Sequence, residues 1–239
     1  MALALADRSS PAGKPGRWSD LRLRVLSAAV LLPVALYCLY VGGVAWALLV
    51  AGATVGLLWE WWRLWRLRPT PYPALKLLAG WLYALVGAGA LYWLRSDSVA
   101  GLIDVLFLLV VVWSSDIGAY LTGRLIGGPK LAPAISPGKT WSGAVGGLLA
   151  AMAVGLLVSR MAAPGPVLHA LVVAGGLSIA SQLGDLLESA LKRHFGVKDS
   201  SRMIPGHGGL FDRLDGVLAA APVAALLALA LGPGVELWR

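Results

Sequence analysis

The chain has 239 residues, of which 58% are hydrophobic and only 13% charged; a soluble domain carries roughly 25% charged residues, so a soluble globular protein is excluded. A net charge of +8 would suggest nucleic acid in a soluble protein. In a membrane protein it fits basic cytoplasmic loops and anionic phosphate groups instead, and no nucleic-acid partner is expected. One cysteine, Cys38, excludes an intramolecular disulfide.

Residues 1–24 read as a flexible cytoplasmic leader, with Ser9, Ser10, Pro11, Gly13, Pro15 and Gly16 and no apolar period. Seven apolar segments follow, at about 25–41, 43–62, 74–94, 99–121, 142–158, 166–184 and 210–231. Val25–Tyr40 reads as a retained anchor rather than a cleaved signal, because its polar leader is long and more spans follow. The expected fold is all-α, a polytopic transmembrane helical bundle of about seven spans (range about six to nine) with a cytoplasmic N-terminus. Its expected parts are N-terminal transmembrane helices over 25–98 and a catalytic transmembrane domain over 99–239, with cytoplasmic loops at 122–141 and 189–209.

Trp59, Trp61, Trp62 and Trp65 beside Arg63, Arg66 and Arg68 read as an interfacial belt, with Tyr92 and Trp93 at the opposite interface. With the N-terminus inside, all of the 20 bases except Arg95, Arg160 and Arg239 fall on the cytoplasmic side, as the positive-inside rule requires. Asp104, near the outer end of its segment, reads as a helix cap. Gly143 and Gly147 form a GxxxG in the fifth segment, which predicts close helix packing.

The sixth segment carries the first sign of chemistry. Ser178, Ser181, Gln182, Asp185, Glu188, Ser189 and Lys192 recur at steps of three and four and share one helix face. The other face is Ile179, Leu183, Leu186, Leu187 and Leu191. A polar stripe at membrane depth must meet protein or water, which predicts a lined cavity.

At the start of the seventh segment Asp212 and Asp215, at i and i+3, share a face. Two such carboxylates repel unless a cation or base lies between them. Hard carboxylate oxygens suit Mg²⁺, and Asp185 on the facing helix completes such a set; the alternative is the ordinary preference of acids for a first helical turn.

Between these helices lies Pro205-Gly206-His207-Gly208-Gly209, with Lys192, Arg193, Lys198, Arg202 and Arg213 around it. Glycine amides leading into a helix N-terminus read as an anion cradle, here a polyphosphate pocket with a metal. His207 reads equally as a ligand, a phosphate donor or a turn residue. A second polar island, Asp116 to Trp141, holds Arg124, Lys130 and Ser136-Pro137-Gly138-Lys139-Thr140. Gly-Lys-Thr is not a P-loop, because Pro133 stands where that motif needs Gly. A helix opening straight after it still suits phosphate.

Ser189, Lys192, Arg193, Lys198, Asp199, Ser201, Pro205, His207, Gly208, Gly209, Asp212, Arg213 and Asp215 resemble the signature of the phosphatidate cytidylyltransferase (CDP-diacylglycerol synthase) family, position by position. Asp116-Ile117-Gly118-Ala119-Tyr120, Gly123-Arg124, Lys130 to Pro133, Ser136 to Trp141 and Gln182 to Asp185 are similar to the family's other blocks, so the resemblance spans roughly 113–216. Ile117 and Ser142 depart from the family pattern, where Thr and Glu are common.

The resemblance implies a multi-pass enzyme of the cell (inner) membrane, its site facing the cytoplasm. It would join CTP and phosphatidic acid into CDP-diacylglycerol and pyrophosphate, with Mg²⁺ and room for a second cation. Asp185, Lys192, Asp212 and Asp215 are the implied catalytic residues, with Asp185, Asp212 and Asp215 as metal ligands. Arg124, Lys139, Ser189, Arg193, Lys198, Arg202, His207, Gly208, Gly209 and Arg213 are the implied substrate contacts. Partners are CTP, phosphatidic acid and membrane lipids, and the pattern is compatible with a homodimer. The rival enzymes are a CTP-dependent polyprenol or lipid kinase and an ether-lipid cytidylyltransferase. A transporter of a phosphorylated solute is disfavoured, because the charges stop at one side of the membrane.

Overall fold

A computed structural model describes residues 17–67, 72–95, 99–162, 164–232 and 235–239. The leader up to residue 16, with Arg8 and Lys14, and Arg68 of the tryptophan belt lie outside the described residues. Among the described residues, seven helices are long and apolar enough to cross a membrane. They are α1 (Arg17–Val41), α2 (Gly43–Trp65), α3 (Pro73–Leu94), α4 (Val99–Leu125), α5 (Trp141–Ala162), α6 (Val167–Phe195) and α7 (Phe211–Leu231).

Two helices outrun their apolar segments. α1 begins at Arg17 rather than near residue 25, since nothing from Arg17 to Arg24 is Gly or Pro. α6 runs to Phe195, so residues 189–195, read as loop from the sequence, are helix. Lys192, Arg193 and His194 fill its last turn, where cations suit the helix dipole. It stops at Gly196, whose φ of 71° lets Val197 N donate back to Lys192 O at 2.9 Å.

The segment between α4 and α5 is also not plain loop. β1 (Lys130–Ala132) and β2 (Ser136–Thr140) pair antiparallel, Lys130 opposite Thr140 and Ala132 opposite Ser136. Thr140 Oγ1 then accepts from Gly143 N at 3.1 Å and caps α5.

The core sits on α4. Half of its most apolar window is buried, against 6% for α1, which lies at the edge of the bundle. Val105, Phe107, Leu108 and Val111 of α4 pack with Leu177 of α6 and Ala220, Ala221 and Ala224 of α7. The GxxxG expectation holds: a Cβ at Gly147 would lie 2.6 Å from Ser115 O, and one at Gly143 2.9 Å from Ala119 O, so α4 and α5 touch backbone to backbone. At the other end of α4, Asp104 accepts from Leu237 N at 3.0 Å rather than capping its own helix. That bond holds Trp238 against Phe107, with ring centroids 4.5 Å apart.

The tryptophan belt divides. Trp59 and Trp62 are exposed, and Arg66 stacks 4.8 Å over Trp62. Trp61 is 4% exposed and donates to Leu77 O at 3.1 Å, so it joins α2 to α3 instead of facing an interface. Its indole fills the space beside Gly80, where a Cβ would lie 1.7 Å from the ring.

Candidate active site

The polar stripe on α6 faces inward. Ser178, Ser181 and Glu188 are buried while Ile179, Leu183 and Leu187 are exposed, which is the reverse of a soluble amphipathic helix and suits lipid outside. Ser178 Oγ meets Ser115 Oγ at 2.7 Å, and Gln182 Nε2 donates to Ser178 Oγ at 3.2 Å and Ala144 O at 3.2 Å. These groups tie α4, α5 and α6 together, and Gln182 and Asp185 of the stripe line an open space.

That space is a cavity of about 470 Å³ between α4, the β-hairpin, the N-terminus of α5 and α6. Asp116, Tyr120, Arg124, Lys139, Thr140, Gln182 and Asp185 are among its lining residues. Lys139 Nζ crosses it to Asp185 Oδ2 at 2.6 Å. Arg124 is held on its rim by Tyr120, Nη1 donating to the phenol oxygen at 2.7 Å. The hairpin is pinned below by Ser142, whose hydroxyl donates to Gly127 O. Two bases and a helix N-terminus in one cavity make a site for a polyanion of nucleotide size.

Asp185 also belongs to a cluster of acids. Asp185, Glu188 and Asp215 each offer an oxygen, all within 4.8 Å of one another. Small residues bring these helices so close: a Cβ at Gly184 would lie 2.7 Å from Asp215 O, and one at Gly216 2.4 Å from Ser181 Oγ. Lys192 flanks the cluster, its Nζ 2.7 Å from Glu188 Oε1 and 2.9 Å from Asp212 Oδ1. Three convergent carboxylates form a hard-oxygen donor set, which fits a divalent cation such as Mg²⁺.

The trio that converges is not the trio expected from spacing. Asp212 borders the trio, sharing Lys192 with Glu188, and accepts from Lys192, from Ser200 N at 3.0 Å and from Gly209 N at 2.9 Å, with Ser200 Oγ 3.1 Å away. Its acceptor positions are filled by protein, and Glu188 takes its place among the acids. Glu188 was legible on the stripe; nothing in the i, i+3 spacing of Asp212 and Asp215 tells which one turns inward.

The glycine loop departs further from expectation. Ile204 to His207 is a tight turn: His207 N donates to Ile204 O at 2.9 Å, with Pro205 second and Gly206 third at φ 76°. The amides leading into α7 are occupied as well. Gly209 N is held by Asp212, and Leu210 N and Phe211 N, at 2.8 Å each, by Glu60 of α2. Protein acceptors thus hold the amides of His207, Gly209, Leu210 and Phe211.

His207 closes this turn. Its Nδ1 lies 2.8 Å from Ser27 Oγ of α1, and its carbonyl accepts from Arg213 Nε at 2.8 Å and Nη2 at 2.6 Å. Arg193 Nε donates to Ile135 O at 3.2 Å, binding the end of α6 to the hairpin. Lys198 and Arg202 are exposed on the loop, Ser189 is half-buried on α6, and Gly208 and Gly209 are packed against Asp212 and Ser200. Of the expected substrate contacts, the cavity gathers Arg124 and Lys139. Sequence reasoning missed Glu60, whose signal was an acid inside an apolar span.

Fold and site together define a multi-pass membrane protein with a polyanion cavity opening beside a carboxylate cluster at one end of a helical bundle. The chain matches the model of the "Cytidylyltransferase family" over residues 22–97 and 80–231. It is 41% identical to a phosphatidate cytidylyltransferase of Brucella suis, over 87% of this chain and 93% of the relative. It is also 46% identical to a phosphatidate cytidylyltransferase of Staphylococcus saprophyticus, over 60% of this chain and 55% of that relative. The chain belongs to the cytidylyltransferase family and is a CTP-using nucleotidyltransferase.

Proposed function

We propose that the chain transfers the cytidylyl group of CTP to phosphatidic acid, giving CDP-diacylglycerol and pyrophosphate for phospholipid synthesis. The observation that carries the reading is the contact of Lys139 with Asp185, because it joins the nucleotide-sized cavity to the acid cluster. Both named relatives are phosphatidate cytidylyltransferases, which supports the lipid substrate. The distribution of bases supports a cytoplasm-facing site in a cell membrane.

Lys139 and Arg124 bind the triphosphate, and the N-terminus of α5 adds amide dipoles to the same field. Lys139 gives up its pairing with Asp185 as the nucleotide enters, which leaves that carboxylate to the cluster. A phosphate oxygen of the lipid attacks the α-phosphorus in line; the new P–O bond forms as the bond to the bridging oxygen breaks, and pyrophosphate leaves. Asp185, Glu188 and Asp215 would hold a divalent cation such as Mg²⁺, which would supply charge neutralisation for the phosphates. Lys192, fixed between Glu188 and Asp212, presents its ammonium to the lipid phosphate. No protein nucleophile is needed, because the lipid is the nucleophile.

Membranes containing the protein, given phosphatidic acid and CTP labelled at the α-phosphorus, should form labelled CDP-diacylglycerol, and chelator should abolish it until Mg²⁺ is restored. An unlabelled lipid product from this CTP, with label passing instead from CTP labelled at the γ-phosphorus, would mark a kinase and contradict the reading. Turnover that survives chelation would contradict the cation.

A further inference from the structure

Glu60 lies near the end of α2 between two tryptophans and is fully buried, at 0% exposure. A carboxylate in a membrane-spanning helix is costly unless its acceptor positions are filled. Four donors fill them, and all come from a segment some 140 or more residues away. Oε1 accepts from Leu210 N at 2.8 Å and from the Ser201 hydroxyl; Oε2 accepts from Phe211 N at 2.8 Å and from Ser200 Oγ at 3.2 Å.

Two of those donors are the amides that open α7. The residue at its N-cap is Leu210, which has no side-chain cap to give. Glu60 therefore does from another helix what a Ser or Asp does at an ordinary N-cap, and its charge matches the helix dipole. Contacts then continue towards the acids. Ser200 Oγ lies 3.2 Å from Glu60 Oε2 and 3.1 Å from Asp212 Oδ2; Asp212 holds Lys192 at 2.9 Å, and Lys192 meets Glu188 at 2.7 Å.

We infer that Glu60 is a positioning residue for the transfer: it fixes residues 200–211 and the first turn of α7 so that Asp212 holds Lys192 against the acid cluster. The inference rests on the proposed reaction, but its geometric half does not. Because the nucleotide cavity is lined from α4, the hairpin, α5 and α6, loss of Glu60 should spare CTP affinity and slow the chemical step.

The test compares wild type, Glu60→Gln and the milder Ser201→Ala as full-length protein in nanodiscs. It measures kcat, KM for CTP, and amide hydrogen exchange at Leu210 and Phe211. Glu60→Gln keeps the shape but turns an acceptor into a donor facing donors. It should lower kcat about tenfold to a hundredfold with KM for CTP within about twofold. Exchange at the two amides should rise about tenfold, since buried donors lose their partner. Ser201→Ala should show the same pattern at smaller amplitude, and it decides alone if Glu60→Gln fails to insert. Unchanged kcat, unchanged exchange, or a rise in KM as large as the fall in kcat overturns the inference. Wild-type protein without CTP:phosphatidate turnover contradicts the proposed reaction instead, and the exchange arm still decides whether Glu60 anchors α7.

Discussion

The segments 126–143 and 196–213 both join two spans at the same end of the bundle, and both mix bases with glycine and proline. In the first, the hairpin holds its own backbone bonds and Thr140 caps α5, so Lys139 is left to reach into the cavity. In the second, Asp212, Arg213 and His207 are spent on the loop itself, with Ser27 and Glu60 closing it from α1 and α2. Similar density of charge therefore accompanies a well-fastened loop in one segment and a base reaching into a cavity in the other.

The largest effect should come from the acids both segments flank. Asp185→Asn or Asp215→Asn should lower turnover on the order of a thousandfold, since a bound cation supplies several kcal/mol. Chain insertion should be unchanged by protease mapping of membranes. Near-normal turnover in either variant would break the cluster assignment.

Next, Lys139→Ala should raise KM for CTP about tenfold to a hundredfold, the value of a charge-assisted phosphate contact. Lys198→Ala, an exposed loop base, should change it by less than about twofold. Equal effects would erase the contrast between the segments.

Arg124→Ala should raise KM for CTP about fivefold, less than Lys139→Ala, because solvent at the cavity rim screens its charge. Arg213→Ala should leave that KM alone and lower the unfolding free energy by about 1 kcal/mol, because it removes the clasp on His207 O. Thermal unfolding in detergent separates the two.

A last contrast between the segments is steric. A Cβ at Gly209 would lie 1.8 Å from Ser200 Oγ, so Gly209→Ala should cost about 1–3 kcal/mol of stability. At Gly138 nothing lies within 4 Å, so Gly138→Ala should stay within about 0.5 kcal/mol of wild type.

The seven helices were legible because apolar runs of span length leave few alternatives. The inward polar face of α6 was legible too, since a three-and-four spacing of Ser, Gln and Asp cannot face lipid. What escaped was direction and partnership. Asp212 and Asp215 lie one turn apart on the same helix, yet one meets Lys192 and the other Asp185, a choice set by how α6 and α7 meet at Gly184 and Gly216. The glycine loop read as an anion cradle because amides beside a helix N-terminus attract carboxylate and phosphate alike; that the anion is Glu60, from α2, depends on a contact no local pattern carries. The strands at 130–140 were missed for a related reason: Ser136-Pro137-Gly138 has little strand propensity, and pairing with Lys130–Ala132 makes the hairpin.

Cysteine protection tests the central claim, that CTP binds under the hairpin and not in the charged loop. In a Cys38→Ser background, Gly138→Cys and Lys198→Cys place one thiol at each exposed segment. CTP should slow maleimide labelling at position 138 on the order of tenfold and leave position 198 within about twofold. Protection at 198 with none at 138 would contradict the account.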